Sequence, residues 1–144
     1  VISFCTTIKN RLYQFERTFF ANADEIQKNP DLSWFIVDFG STDGLVERMK
    51  EWLPRVSCRI VFGRDLTDKP WHCSYAKNVA HRVAVGKILV NLDCDNFIGK
   101  EILPAISDRF SNGCQIMHHY APICGSYGRV VIDKRGILRP RWIR

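Results

Sequence analysis

The sequence predicts an α/β fold, with a mostly parallel central sheet flanked by helices, and three observations carry that expectation. Short apolar runs alternate with stretches whose apolar residues recur every three or four positions, the pattern of strands joined by crossover helices. The runs are apolar enough to be buried on both faces, as parallel strands are. The polar clusters fall directly after the runs, where the carboxyl ends of parallel strands converge and ligands bind in such sheets.

Taken in order, the first strand spans Val1 to about Cys5. A helix follows from about Arg11 to Lys28, with Leu12, Phe15, Phe19, Ala23 and Ile26 on one face and Asn29-Pro30 stopping it. Trp34 to Val37 forms the second strand. After a turn, a helix buries Leu45, Met49, Trp52 and Leu53 and is closed by Pro54. Cys58 to Phe62 is the third strand, followed by an irregular polar segment from Gly63 to Trp71. Ala76, Val79, Ala80 and Val83 have helical spacing, and Gly86 is expected to end that helix in a left-handed conformation. Lys87 to Leu92 reads as a fourth strand, apolar enough to be central. A helix through Ile102, Leu103, Ile106 and Phe110, a strand at Gln115 to His118 and a strand at Arg129 to Asp133 complete the order.

Length and composition bound what such a chain does. At 144 residues and 46% apolar content it can bury one sizeable core, so a single domain over 1–144 is expected. No apolar run approaches the roughly 18 residues that a bilayer span needs, so no transmembrane segment is expected. A soluble, cytoplasmic chain follows, any membrane association coming from parts of the protein outside these residues. The sequence starts without Met inside a strand-like run, as a partial chain would. The net charge of +6 is concentrated: Lys134, Arg135, Arg139, Arg141 and Arg144 lie in an acid-free tail, leaving 16 basic against 15 acidic residues before it. With a nearly neutral body and no basic stripe, nucleic acid is not the expected partner, and the tail reads as solvated or as the remnant of a truncated element. Cys5, Cys58, Cys73, Cys94, Cys114 and Cys124 form no C-x-x-C pair and read as free thiols. Zinc held by His72, Cys73 and His118 or His119 would match none of the usual zinc spacings.

Thr6 to Arg11, Asp38 to Gly44 and Asp93 to Asn96 follow the first, second and fourth strands. If the chain stays extended through Cys94, Asp93 and Asp95 point to one side and offer two hard oxygen donors suited to Mg2+ or Mn2+, with water and a diphosphate completing the shell. The other reading is a pair of turn-forming, helix-capping aspartates. In the second cluster Ser41 or Thr42 is expected to cap the following helix, with Asp43 complementing its dipole. Asp38 then needs a partner of its own, a base or ribose being suitable. Lys77, in the first turns of the third helix, either meets a phosphate or is solvated.

In this order and spacing the clusters resemble the GT-A fold, a Rossmann-like nucleotide-diphospho-sugar transferase fold, of family-2 type glycosyltransferases. There the second strand ends in Asp-Asp-Gly-Ser-Thr-Asp-Gly; here residues 38–44 read Asp-Phe-Gly-Ser-Thr-Asp-Gly. An Ala-x-Asn and then an Ala-x-Gly lead into the D-x-D strand, and here Ala76-Lys77-Asn78 and Ala84-Val85-Gly86 precede Asp93-Cys94-Asp95. The resemblance covers residues 1 to about 135. It implies a hexosyltransferase that takes a nucleoside-diphosphate sugar and transfers the sugar, usually with inversion, to an acceptor hydroxyl on a saccharide, lipid-linked or protein acceptor. Thr7, Lys9, Asn10 and Arg11 would line the nucleoside pocket, Asp38 would contact the base, and Lys77 would lie near the ribose or diphosphate, with Ser41 and Asn78 in the same pocket. Asp93 would face ribose or sugar, and Asp95, with Asp93, would ligate Mn2+ or Mg2+ bridging the phosphates.

Two departures stand out. Phe39 replaces the second aspartate of the strand-two motif. The strand at Gly128 to Asp133 fits the family, but Ile137 to Arg144 does not continue into its acceptor-binding pattern, so the general base is expected to lie elsewhere; His118 and His119 are candidates of last resort. The competing readings are a sugar-phosphate nucleotidylyltransferase, against which the glycine-free Thr6–Arg11 loop argues, and a catalytically incomplete binding domain.

Overall fold

The structure, a computed structural model, describes residues 1–67 and 70–113 together with the backbone of strands 127–132 and 138–143. The chain forms two compact units, Val1–Ile98 and Gly99–Arg144. The first unit contains, in order, β1 (Ile2–Ile8), α1 (Leu12–Gln27), β2 (Leu32–Asp38), α2 (Leu45–Trp52), β3 (Ile60–Arg64), α3 (Cys73–Val83) and β4 (Ile88–Asn91). The second contains α4 (Ile102–Ser111), β5 (Tyr127–Ile132) and β6 (Leu138–Ile143).

The four strands of the first unit form one parallel sheet in the order β3-β2-β1-β4. Every residue of β2 is buried, as the apolar run predicted. Alternation sends Trp34 and Ile36 to one face and Phe35 and Val37 to the other. On the first face Trp34 meets Phe15 and Phe19 of α1 at ring-centroid distances of 5.6 and 5.5 Å, and Phe19 stacks on Trp52 of α2 at 4.9 Å. On the opposite face Cys5, Val37 and Ala80 of α3 pack together, with Phe39, Val79 and Ala84 around them. The sheet therefore lies between α1 with α2 on one side and α3 on the other. Trp34 also satisfies its indole N–H, donating to Thr6 Oγ1 at 2.8 Å.

Several expectations are corrected. Among the described residues β4 pairs only with β1, and Leu89 on it is 36% exposed. β1 runs on to Ile8 because its hydrogen bonds to β2 continue to the Ile8–Asp38 pair, so Thr6 and Thr7 belong to the strand. α2 ends at Trp52, and half-buried Leu53 starts a short 3-10 turn to Arg55. Gly86 is not left-handed, for α3 ends in extended Ala84. Its role is size: a Cβ there would lie 2.6 Å from Ser3 N and Oγ, and its N–H donates to Ser3 Oγ at 2.9 Å. The left-handed terminator appears instead after α4, at Gly113 with φ 82°.

Part of the basic tail is a strand. Residues 138–143 form β6, antiparallel to β5 with Tyr127 opposite Ile143. Pro140 and the interspersed arginines hid the strand from a reading by apolar alternation. The strand expected at Gln115–His118 lies outside the described residues, as do His118 and His119. Cys5, Cys58, Cys73 and Cys94 are free thiols; Cys114 and Cys124 lie outside the described residues. Among the described residues no helix is long and apolar enough to cross a membrane.

Candidate functional site

The loops after β1 and β2 are stitched to each other. Asp38, at the end of β2, is completely buried: one carboxylate oxygen accepts from the Ser41 N–H at 2.8 Å and the other from Arg64 Nε, also at 2.8 Å. Arg64 is the residue paired with Asp38 across β2 and β3, so strand register delivers the guanidinium to the carboxylate. The Ser41 hydroxyl in turn accepts from the Asn10 N–H at 2.9 Å, and the Asn10 side-chain oxygen accepts from the Thr42 N–H at 2.8 Å. Asn10 holds this position with φ 52°, a left-handed conformation that asparagine tolerates better than most residues. Ser41 and Thr42 do not cap α2, whose N-cap is Gly44. Asp43 serves a different helix from the one expected: its Oδ2 accepts from the N–H of Leu12, the first residue of α1, at 2.7 Å. Two loops that are 31 residues apart thus cap and brace one another.

The third cluster is built differently. The strand ends at Asn91 and the chain does not stay extended through Cys94: the Asn96 N–H donates to the Asp93 carbonyl at 3.0 Å, closing a turn with Cys94 and Asp95 at its centre. Simple alternation therefore does not set how Asp93 and Asp95 are aimed. Asp93 pairs with Lys77 Nζ at 3.0 Å, both side chains being partly exposed. Asp95 is exposed and has no ion-pair partner among the described residues. Burial pushes the Cys94 thiol up to about 11, with the Asp95 and Asp93 carboxylates adding to the rise and the Arg11 guanidinium opposing it. Arg11, the N-cap residue of α1, is thus a cation beside the turn.

Strand parity separates the predicted site residues. Thr7 shares the α3 side of the sheet with Cys5 and Val37, and Phe39 packs against the cluster those residues form. Phe39 also meets Trp71 and Tyr75 edge to face at 5.5 and 6.3 Å. Where the resembling motif carries a second aspartate, this chain places an aromatic corner, close in sequence to the helix that bears Lys77. Asp38, Ser41 and Asn10 are consumed by the loop network. Lys9 is half-buried and Asn78 exposed. Concavities of about 370 Å³, lined by Asn10, Leu12, Tyr13 and Asp43 among others, and about 290 Å³, lined by Val61, Arg64, Leu66 and Val83 among others, include neither Lys77, Asp93 nor Asp95. The side chains of Asp93 and Asp95 are exposed.

The donor set suits a hard divalent cation that keeps water and phosphate oxygens in its shell. Asp95 and Asp93 are the carboxylates of the turn that would offer oxygens to such an ion, and among the described residues no group of three or more His, Cys, Asp or Glu side chains comes together. Among the described residues His72 and Cys73, at the start of α3, belong to no such group, and the His118 or His119 that would join them lies outside those residues.

Sequence reasoning missed Arg64, Thr6, Thr18 and Asn22. Thr6 Oγ1 donates to the Leu92 carbonyl at 2.7 Å, tying β1 to the entry of the Asp93 turn. Arg64 stood at a strand end opposite an unpaired buried carboxylate, a signal that needs strand register to read. Thr18 and Asn22 were visible as polar residues inside the apolar stripe of α1, where an unpaired polar group is costly.

No family model matches the chain, and a search of characterised proteins by sequence finds no relative. The fold does match solved structures. S. aureus TarS 1-349, a glycosyltransferase, superposes with a TM-score of 0.62 at 19% identity over 77% of this chain and 32% of that one. The same protein in complex with UDP-GlcNAc gives 0.60 at 20% identity, and in complex with UDP 0.57 at 20%. This chain has the α/β, GT-A-like fold of those structures and spans about a third of their length.

Proposed function

We propose that this chain is the donor-binding part of a metal-dependent glycosyltransferase. It binds a nucleoside-diphosphate sugar with Mn2+ or Mg2+ at the carboxyl edge of the sheet and serves transfer of the sugar to an acceptor hydroxyl, with inversion. The observation that carries the reading is the Asp93–Asn96 turn, which joins an exposed Asp95, an Asp93–Lys77 pair and the nearby Arg11 at the strand ends where ligands of such sheets bind. Support comes from the fold, shared with a protein solved in complex with UDP-GlcNAc and UDP.

In this reading Asp95 and Asp93 hold the cation, which offsets charge on the leaving diphosphate. Lys77 leaves Asp93 for a phosphate oxygen. A partly exposed pair of this kind is worth only about 0.5 kcal/mol, so the exchange costs little. Arg11 adds positive charge at the same end. Thr7, Lys9 and Asn78 lie along the nucleoside, with Phe39 and Trp71 offering ring surface in place of a carboxylate. Asp38, Ser41 and Asn10 act by fixing the loops that border the pocket, Asp38 having no exposed surface to present to the base.

Calorimetry with a panel of nucleotide sugars, with and without Mn2+, tests the proposal. The expected result is binding of at least one of them that strengthens with metal. Absence of metal-enhanced binding across the panel overturns it.

A further inference from the structure

Thr18 and Asn22 stand one helical turn apart on α1, on the same side as Phe15, Phe19, Ala23 and Ile26, and both are buried. Their polar atoms reach out of the helix to one segment. The Thr18 hydroxyl donates to the Cys94 carbonyl at 2.6 Å, a shorter contact than the 3.2 Å to its own helix at Phe15. The Asn22 amide donates to the Asn96 carbonyl at 2.9 Å, and its oxygen accepts from the Ile98 N–H at 2.8 Å. Backbone groups of residues 94, 96 and 98 are thus fixed from α1, while the side chains of Asp93, Asp95, Asn96 and Phe97 remain exposed.

We infer that Thr18 and Asn22 are positioning residues that hold the Asp93–Ile98 segment so that the Asp95 carboxylate meets the metal and diphosphate in one fixed geometry. The inference rests on the proposed donor-site reading. A cation that takes only one or two protein carboxylates gains affinity from how well those oxygens are preorganised, and an exposed turn has little packing of its own to fix them. The tethers act from the buried side and touch no ligand. A merely structural pair would alter stability and leave the metal response alone.

The test compares Thr18→Val, Thr18→Ser and Asn22→Asp with the parent chain. Thr18→Val keeps the shape and removes the hydroxyl; Asn22→Asp keeps the acceptor for Ile98 and loses the donor to Asn96. For Thr18→Val and Asn22→Asp, the Mn2+ concentration giving half of the metal-induced gain in nucleoside-diphosphate affinity should rise about tenfold, as for groups that orient metal ligands. Metal-free affinity should stay within about twofold, and Thr18→Ser should restore the parent response. A second readout needs no ligand: alkylation of Cys94, followed by mass spectrometry of its peptide, should be faster in Thr18→Val than in the parent or in Thr18→Ser, because the freed turn exposes the thiol. An unchanged Mn2+ midpoint in folded variants, or Thr18→Ser behaving as Thr18→Val, overturns the inference. If the parent itself shows no metal gain, the donor-site reading fails and takes the inference with it, even where the alkylation rates confirm that the tethers fix the turn. Should Thr18→Val not fold, Asn22→Asp decides the midpoint, and faster Cys94 alkylation is then expected of it.

Discussion

Asp38 and Asp93 both sit at the carboxyl edge of the same parallel sheet, and the fold treats their carboxylates in opposite ways. Asp38 is fully buried and spends each oxygen on a defined donor, Arg64 and the Ser41 N–H. Asp93 is more than half exposed, holds one partly exposed lysine, and stands two residues from an Asp95 without an ion-pair partner among the described residues. A buried, satisfied carboxylate is expensive to disturb and rigidifies its surroundings. An exposed carboxylate in a loose pair can exchange its partner for a ligand at little cost. On the proposed function, the Asp38 region is scaffold and the Asp93 turn is the part that binds.

Substitutions sharpen or break that division. Asp38→Ala should have the largest effect on the fold, lowering the unfolding free energy in urea by about 3 kcal/mol, the lower end for breaking a buried pair because Arg64 keeps access to water. Nucleotide binding should weaken with and without metal as the braced loops loosen. Asp95→Ala should do the reverse: the metal-dependent gain in nucleotide-sugar affinity disappears, a loss of at least about tenfold or about 1.4 kcal/mol, while stability stays within about 0.5 kcal/mol of the parent. If Asp95→Ala destabilises as much as Asp38→Ala, the division into scaffold and site fails. Asp43→Ala removes the cap that Asp43 lends to α1 and should cost about 1 kcal/mol of stability, measured by urea unfolding, with metal-free affinity nearly unchanged.

The smallest effect at neutral pH is a thiol effect, because it is absent there. Burial raises Cys5 from its ordinary 9.0 to about 12, and burial with the flanking carboxylates raises Cys94 to about 11. Above pH 9 these thiols ionise in the unfolded chain before they do in the folded one, so the folded state binds more protons and loses stability as pH rises. The stabilising difference is complete below about pH 9 and declines toward the folded values, by about 1.4 kcal/mol per pH unit for each thiol. Urea unfolding between pH 8 and 11 should show this slope, made shallower by Cys5→Ala, with nothing lost below pH 9.

The helices and strands of residues 1–98 were legible because each follows from local periodicity: the Phe15, Phe19, Ala23, Ile26 stripe, the apolar Trp34–Val37 run, and Ala76 with Ala80 all bury as their spacing requires. Local signals misled where two structures satisfy one pattern. Ser41-Thr42-Asp43 before Leu45 reads as a cap for α2, yet Asp43 caps α1, since a carboxylate serves whichever helix end the fold brings to it. Gly86 was expected for its φ and is needed for its size.

By itself the sequence determined the order of elements in residues 1–98, the parallel sheet and the gathering of Asp38, Lys77 and the Asp93–Asp95 turn at one edge, because hydrophobic period and polar punctuation are local properties of the chain. Only the tertiary structure decided what each polar residue does there. Arg64 reaches Asp38 through strand register, Thr18 and Asn22 reach the Asp93 turn across 74 to 76 residues of chain, and Cys94 with Asp95 turns instead of extending. Hydrogen-bond partners far apart in sequence are fixed by packing, and no spacing rule within the chain encodes them.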